Sequence, residues 1–261
     1  MADAPSQVEV LFQDDAFVAV AKPPDLSVHS GPGAGSHVLR EVKARFGELL
    51  PVHRLDKQAS GVLLLARNKA ALKTAQNVWE RARKTYWALV EGAPSEATGV
   101  IDAPVLDHRS EKPERVRVAM DWHRKNNPKL ELPEPPSPGR SAVHPAGRPT
   151  QTEFEVRAQF SAGGKTWSVL HVRPRQGRLH QIRVHLAHAG WPLAVDAFYG
   201  TRSELRTRDW GLGDDVLLTR VPLHALKLEL PHPMRPEVQL SIEAPLAADL
   251  AGLLGSLEAQ R

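Results

Sequence analysis

PVHRLDKQASGVLLLAR, residues 51–67, sets His53, Arg54 and Asp56 ahead of the small pair Ser60-Gly61 and an apolar run. The run GVLLLAR reads as a short buried strand, because strands covered on both faces carry continuous rather than alternating apolar residues. Asp56 therefore sits on a tight loop that feeds a strand. A carboxylate in that position can act as nucleophile or base if nearby cations keep it ionised and water is excluded. The same residue type caps and closes turns, and for a lone loop aspartate that is the commoner use.

Outward from this stretch, VEVLFQ and FVAVAK flank Asp14-Asp15 and predict a hairpin near the start. PPDLSVHSGPGAGS is loop by its Pro, Gly and Ser content. A helix is expected in HVLREVKARFGELL, where Val38, Val42, Phe46 and Leu49 fall at helical spacing. NKAALKTAQNVWERARK opens on Asn68 and reads as an amphipathic helix, followed by a strand at TYWALVEG. TEFEVRAQF, TWSVLHVRP and VPLHALKLELP read as strands, LHQIRVHLAHAG as a short helix ending at Gly190, and PLAADLAGLLGSLEAQ as a final helix. Strands outnumber helices and several are hairpin-linked, so the fold class is α+β with a largely antiparallel, mixed central sheet flanked by helices and loops. A Pro-rich stretch of both charge signs, about residues 121–150, reads as an insertion in one domain spanning residues 1–261.

With 261 residues, 41% of them hydrophobic, the chain can bury a substantial core. It has no cysteine, which removes disulfides and thiolate metal sites and fits a reducing, cytoplasmic setting. No leader pattern opens the chain and no apolar window reaches membrane-spanning length. The formal charge of +4 is mild, but its distribution is not even. Between His53 and Val90 eight Lys or Arg face two acids, and between Lys165 and Gly190 five Lys or Arg face none. Two separated basic segments suit a polyanion channel, and equally suit solvated faces of ordinary elements.

In RPRQGRLHQIRVHLAHAG, Arg175, Arg178 and Arg183 offer forked donors for phosphate or for a carboxylate. His180, His185 and His188 tempt a metal reading, but their spacings of five and three do not share one helical face and no acidic ligand stands close in sequence. Tyr86, one of two tyrosines, could stack on a base or pack in the core beside Trp87. Lys22 ends a strand before two prolines, where phosphate contact and surface solvation are comparable readings.

Taken together, these segments resemble the RluA-type pseudouridine synthases. HRLDKQASGVLLLAR is similar to that family's His-Arg-Leu-Asp signature. In the family's order follow VAVAKPPDLSVHSG near the start, RKTYWALVEG, QTEFEVR, GRLHQIRVHLAHAGWPLAVDAFYG and PLHALKLELPHP. The resemblance spans about Val8 to Pro233.

It implies that Asp56 is the catalytic aspartate and that Arg54 enters the RNA stack as the target uridine flips out. It further implies that Tyr86 lies against the flipped base, that Arg183 pairs with Asp56, and that Lys22 belongs to an RNA-facing rim. The implied reaction breaks the N1–C1′ bond of a uridine in ribosomal or transfer RNA, rotates the uracil and rejoins it through C5. Asp56 would act at the ribose, by attack on C1′ or by removal of the C2′ proton. No metal or cofactor is implied, nor a DNA or membrane partner, and the chain is expected to be a monomer.

Ala59 departs from the Thr that the family commonly carries after its aspartate motif, and the form expected is the one without the N-terminal S4-type RNA-binding domain of many relatives. Two other readings remain: a non-catalytic RNA-binding or chaperone protein using the same basic face, and a metal-dependent hydrolase built on the histidines.

Overall fold

A computed structural model describes residues 8–30, 36–107 and 140–260, with Lys125 and residues 136–137 between them. In chain order the elements begin with β1 (Glu9–Gln13), β2 (Phe17–Lys22), α1 (Val38–Phe46), β3 (Leu50–Pro51), β4 (Ser60–Ala66), α2 (Lys69–Val78) and β5 (Arg83–Glu91). There follow β6 (Thr98–Asp102), β7 (Val105–Asp107), β8 (Ser141–Val143), β9 (Gln151–Ala162), β10 (Lys165–Pro174) and α3 (Gln181–His188). The chain closes with β11 (Leu205–Arg206), β12 (Val216–Leu218), β13 (Leu223–His232), β14 (Arg235–Glu243) and α4 (Ala248–Glu258). This is an α+β fold. Most of the insertion expected at 121–150 lies outside the described residues, and its last part holds β8.

The chain forms two compact units, residues 1–88 with 217–261, and residues 89–216. In the first, the strand order is β1-β2-β4-β13-β5, with β14 on β13 and β3 on β4. β4 runs antiparallel to β2 and parallel to β13, so the sheet is mixed. The apolar continuity of β2 and β4 has a direct cause, since both of their faces are covered. Phe17, Ala19, Val62 and Leu64 pack with Ala71 and Ala75 of α2, while Val18, Val20, Leu63 and Leu65 pack with Val38 and Val42 of α1. All seven residues of β4 are buried. At about 1.5–3 kcal/mol for each fully buried aliphatic side chain, this strand is among the costliest parts of the molecule to displace.

Local chemistry sets the element ends. Asp14 turns the first hairpin by accepting the N–H groups of Ala16 (2.8 Å) and Phe17 (2.7 Å) on Oδ1. Asn68 caps α2 by accepting the Ala71 N–H at 2.9 Å. α1 stops at Gly47, whose φ of 73° suits a residue without Cβ. Leu49, placed on that helix by its spacing, is buried beyond the helix end instead. The second unit carries the antiparallel meander β6-β9-β10, the β7–β8 pair, and α3. Its core includes Trp167, fully buried and edge-on to Trp210 at 6.3 Å.

Candidate active site

Residues 53–61 form the approach to β4, and alternation orders them. Leu55 is buried, while Arg54 is exposed and Asp56 half-buried. Leu55 thus anchors the segment with a candidate site residue on either side. The Ala59 N–H donates to the Asp56 carbonyl at 3.1 Å, closing Asp56–Ala59 as a tight turn. The departure at Ala59 falls on a buried methyl in a turn closed through its main chain, and the next residue supplies a hydroxyl. Ser60 Oγ lies 2.9 Å from His224 Nδ1, and His224 Nε2 lies 3.4 Å from the Ala244 carbonyl. That carbonyl can only accept, so Nε2 carries the proton and Nδ1 accepts from Ser60. Burial first, and Arg220 beside it, pull the His224 pKa down to about 4, so this bridge is neutral. Gly61 follows with φ 111°; a Cβ there would lie 2.2 Å from the Ala225 carbonyl oxygen. Only glycine allows β4 and β13 to approach so closely.

Two buried cations meet the carbonyls of this turn. Lys22, 1% exposed, donates from Nζ to Pro23 O (2.7 Å), Leu26 O (2.8 Å) and Lys57 O (2.9 Å). Arg220, 3% exposed, donates from Nη1 to Gln58 O at 3.3 Å. Burial lowers the Lys22 pKa to about 7, helped by Arg220 and opposed by Asp25 and Asp56. The resemblance places Lys22 on an RNA-facing rim; its ammonium is enclosed, with all three bonds directed to main-chain carbonyls.

Tyr86 is half-buried on β5, while Trp87, pointing to the other face, is 5% exposed. Trp87 therefore fills core, and Tyr86 is the ring of the pair that reaches the surface. Burial first and then the charge of Asp56 push the Tyr86 phenol well above its ordinary pKa, so it is a neutral hydroxyl. His53 stacks on Trp79 (centroids 4.9 Å apart, planes at 24°) and accepts the Leu64 N–H on Nε2 at 3.1 Å. Burial, with Lys84 adding to it, holds His53 near pKa 4. It is a neutral brace between this segment and β4.

In the second unit, α3 is buried around nearly its whole circumference, Gln181 through Leu186 all lying inside. Its polar residues are satisfied there. Gln181 Nε2 donates to Gln151 O (2.9 Å) and Thr152 Oγ1 (3.1 Å), and its Oε1 accepts the Arg178 N–H at 3.1 Å. His185 donates from Nε2 to Ala103 O (3.0 Å), which leaves Nδ1 to accept from Thr152 Oγ1 (2.9 Å). His185 is thus a structural core histidine. Among the described residues no group of three His, Asp or Glu side chains gathers as a metal site would require.

Arg183, 6% exposed, grips Asp196 with two bonds, Nε to Oδ2 at 2.7 Å and Nη2 to Oδ1 at 2.8 Å. Asp196 Oδ1 also accepts the N–H groups of Phe198 (2.9 Å) and Tyr199 (3.1 Å). The guanidinium lies 5.4 Å from the Phe198 ring centroid and 5.2 Å from that of Tyr199, within cation–π reach. Asp196 was not among the residues singled out from sequence, although AVDAFYG lay inside the arginine-rich block. Arg220 and Asp249 carried no local signal at all. Asp56, Arg54, Tyr86 and Lys22 belong to the first unit and Arg183 to the second, so the implied pairing of Arg183 with Asp56 is carried forward as a proposal.

The chain is similar to known proteins over most of its length. The chain is 32% identical to ribosomal large subunit pseudouridine synthase C of Pasteurella multocida over 98% of its own length and 70% of the relative's. For the proteins of the same name the identity is 34% in Yersinia pestis (95% and 68% covered) and 33% in Escherichia coli K12 (97% and 70%). Among solved structures, human RNA pseudouridylate synthase domain containing 1 superposes with a TM-score of 0.67 at 21% identity, covering 99% of this chain and 98% of that one. That likeness concerns the fold. The profile of the family described as RNA pseudouridylate synthase matches residues 16–188, from the first hairpin to the end of α3, and the chain belongs to that family.

Proposed function

We propose that this protein isomerises uridine to pseudouridine in large-subunit ribosomal RNA, with Asp56 as its catalytic carboxylate. The observation that carries the assignment is the construction around Asp56. A turn closed by its own main chain, gripped at Lys57 O and Gln58 O by two enclosed cations, holds one half-buried carboxylate beside a half-buried tyrosine. A protein that only bound RNA through its basic face would need no acid there, and burying two cations to set the backbone of one aspartate is costly unless its position matters.

A uridine in a structured RNA must leave its stack before any group reaches the glycosidic bond. Arg54, exposed immediately ahead of buried Leu55, is assigned the gap left behind. Tyr86 is assigned the face of the flipped uracil, a neutral phenol suiting an uncharged base. Asp56 then acts at the ribose, at C1′ or at the C2′ proton, so that the N1–C1′ bond breaks and C5 replaces N1. The atoms balance within the nucleotide: the C5 proton leaves and N1 gains one. Arg183, its guanidinium set by Asp196, is assigned the pairing with Asp56. The remaining expectations, a monomer acting in the cytoplasm as one catalytic domain over residues 1–261, belong to the same proposal; among the described residues no helix is long and apolar enough to cross a membrane.

The test is pseudouridine mapping of large-subunit ribosomal RNA from cells lacking the gene, complemented with the parent or with Asp56→Asn. The parent should restore the missing sites and Asp56→Asn should not, while purified Asp56→Asn keeps the parent's affinity for that RNA. Restoration by Asp56→Asn would refute the catalytic role; an unchanged map in the deletion would refute the substrate.

A further inference from the structure

Arg220 comes from the stretch before β13, well after the basic segments flagged in the sequence, and it is almost wholly enclosed. Its guanidinium has three sets of partners. Nε and Nη2 fork onto Asp249, to Oδ2 at 2.6 Å and Oδ1 at 2.7 Å, while Nη1 donates to Val221 O (3.2 Å) and Gln58 O (3.3 Å). Asp249 stands in the first turn of α4 and accepts the Leu250 N–H at 2.9 Å. Burial, the largest single influence, would raise its pKa; the hydrogen bonds and charge of Arg220 together with backbone N–H bonds offset that and hold it below the ordinary carboxylate value. The carboxylate is ionised at neutral pH, and the fork is a charged, two-bond contact of fixed geometry.

We propose that Arg220 and Asp249 are positioning residues for catalysis, through which helix α4 sets the turn that carries Asp56. This rests on the reading of Asp56 as the catalytic group. In the turn Asp56–Ala59 the central residues are Lys57 and Gln58, and each presents its carbonyl to a different buried cation. The ammonium of Lys22 can rotate to follow a moving acceptor, having no fixed plane. The Arg220 fork cannot, because two bonds to Asp249 fix its plane and with it the directions in which Nη1 meets Val221 O and Gln58 O. Of the two holds, Arg220 is the one that selects an orientation for the turn, and Asp249 is what orients Arg220. Asp249 lies on the helix that encloses the pair and is itself partly open to solvent, so it can be altered without opening a cavity.

The test compares Asp249→Asn and Asp249→Glu with the parent on ribosomal RNA isolated from the deletion strain, reading kcat and KM separately, with Asp56→Asn as control. Asp249→Asn keeps the shape and loses the charge. Its kcat should fall about tenfold to a hundredfold, the range expected when a catalytic group is displaced by a fraction of its reach. KM should stay within twofold of the parent. Asp249→Glu should restore most of the lost kcat, and the Ala59 amide should exchange faster in Asp249→Asn while amides of β9 and β10 do not. A parent-like kcat in folded Asp249→Asn overturns the inference, as does a loss confined to KM. Should Asp249→Asn fail to fold, Arg220→Lys replaces it: a cation remains beneath Gln58 without the fork, and a parent-like kcat overturns the inference equally. If Asp56→Asn is active, the reading of Asp56 has failed; if Asp56→Asn is dead and Asp249→Asn is parent-like, only the role of Asp249 has.

Discussion

The Asp56 turn and the Arg183 helix use opposite chemistry for the same task. Around Asp56, buried cations hold backbone carbonyls: Lys22 takes those of Pro23, Leu26 and Lys57, and Arg220 takes that of Gln58. Around Arg183, a buried anion holds backbone N–H groups, Asp196 taking those of Phe198 and Tyr199 while it grips the arginine itself. In the first region the described bonds of the cations run to the main chain next to the candidate residue, Asp56. In the second the bonds run to the candidate side chain, Arg183, directly. The first arrangement fixes where a side chain starts; the second fixes where it ends.

That contrast predicts unequal responses to mutation. Asp196→Ala removes one partner of a buried forked pair in which neither side chain is more than 6% exposed, and takes the acceptor from the amides of Phe198 and Tyr199. We expect a loss of about 3–5 kcal/mol in urea unfolding; a loss below 1 kcal/mol would mean that the pair does not organise its region. Lys22→Met removes the charge along with the donors, so three carbonyls lose partners but no ion is stranded, and about 1–3 kcal/mol is expected.

The pH dependence separates the two regions further. With the folded pKa of Lys22 near 7 against an ordinary 10.5, the unfolded chain binds the extra proton between those values, so this group adds stability as pH rises from about 7 toward 10 and its burial penalty is greatest below 7. Urea unfolding of the parent at pH 7 and pH 9.5 should show that gain, and Lys22→Met should lack it. The smallest effect is expected at the exposed pair of Lys165 with Glu91, whose side chains are 45% and 24% exposed. Lys165→Gln should cost under about 1 kcal/mol and should vanish into experimental scatter at high salt. An effect there rivalling Asp196→Ala would erase the distinction drawn between buried and surface charge.

The sequence made the first region more legible than the second. Continuous apolar residues in β2 and β4 reported burial on both faces, and the polar cluster before β4 marked the turn. The strand predicted at Gly61–Arg67 appears as Ser60–Ala66, and the first hairpin and α4 stand within a few residues of where periodicity placed them; α2 starts as predicted but ends at Val78, six residues early, with Arg83 and Lys84 already in β5. The helix expected up to Gly190 carries little helical period for a physical reason: Gln181 through Leu186 are all buried, with Gln181, Arg183 and His185 satisfied inside, so these residues present no separate polar face. β14 escaped notice because five of its nine residues in a row are exposed and Pro236 interrupts its pattern. The candidate site residues Asp56, Arg54, Tyr86 and Arg183 were named from family resemblance and remain proposals. The groups that hold the turn of Asp56 and Arg183 were not named, since Asp196, Arg220 and Asp249 act through contacts 13, 162 and 29 positions away along the chain. Lys22 shows the converse: its stretch left phosphate contact and surface solvation equally open, and its enclosure shows which oxygens it meets.

The close approach of Gly61 to Ala225 bears on when the protein can first work. The turn before β4 is written within the first quarter of the chain, yet His224, Ala225, Arg220 and Asp249, which shape it, all follow residue 217. A nascent chain that has emerged only through β12 holds Asp56 but none of those partners. β4 and β2 can pair by then, while the turn that carries Asp56 waits for contacts 162 and 164 positions apart in the chain, and contacts of such separation form slowly. Ribosome-bound chains stalled ahead of β13 should therefore carry a folded second unit and no activity, so that the enzyme stays silent until its synthesis is nearly complete.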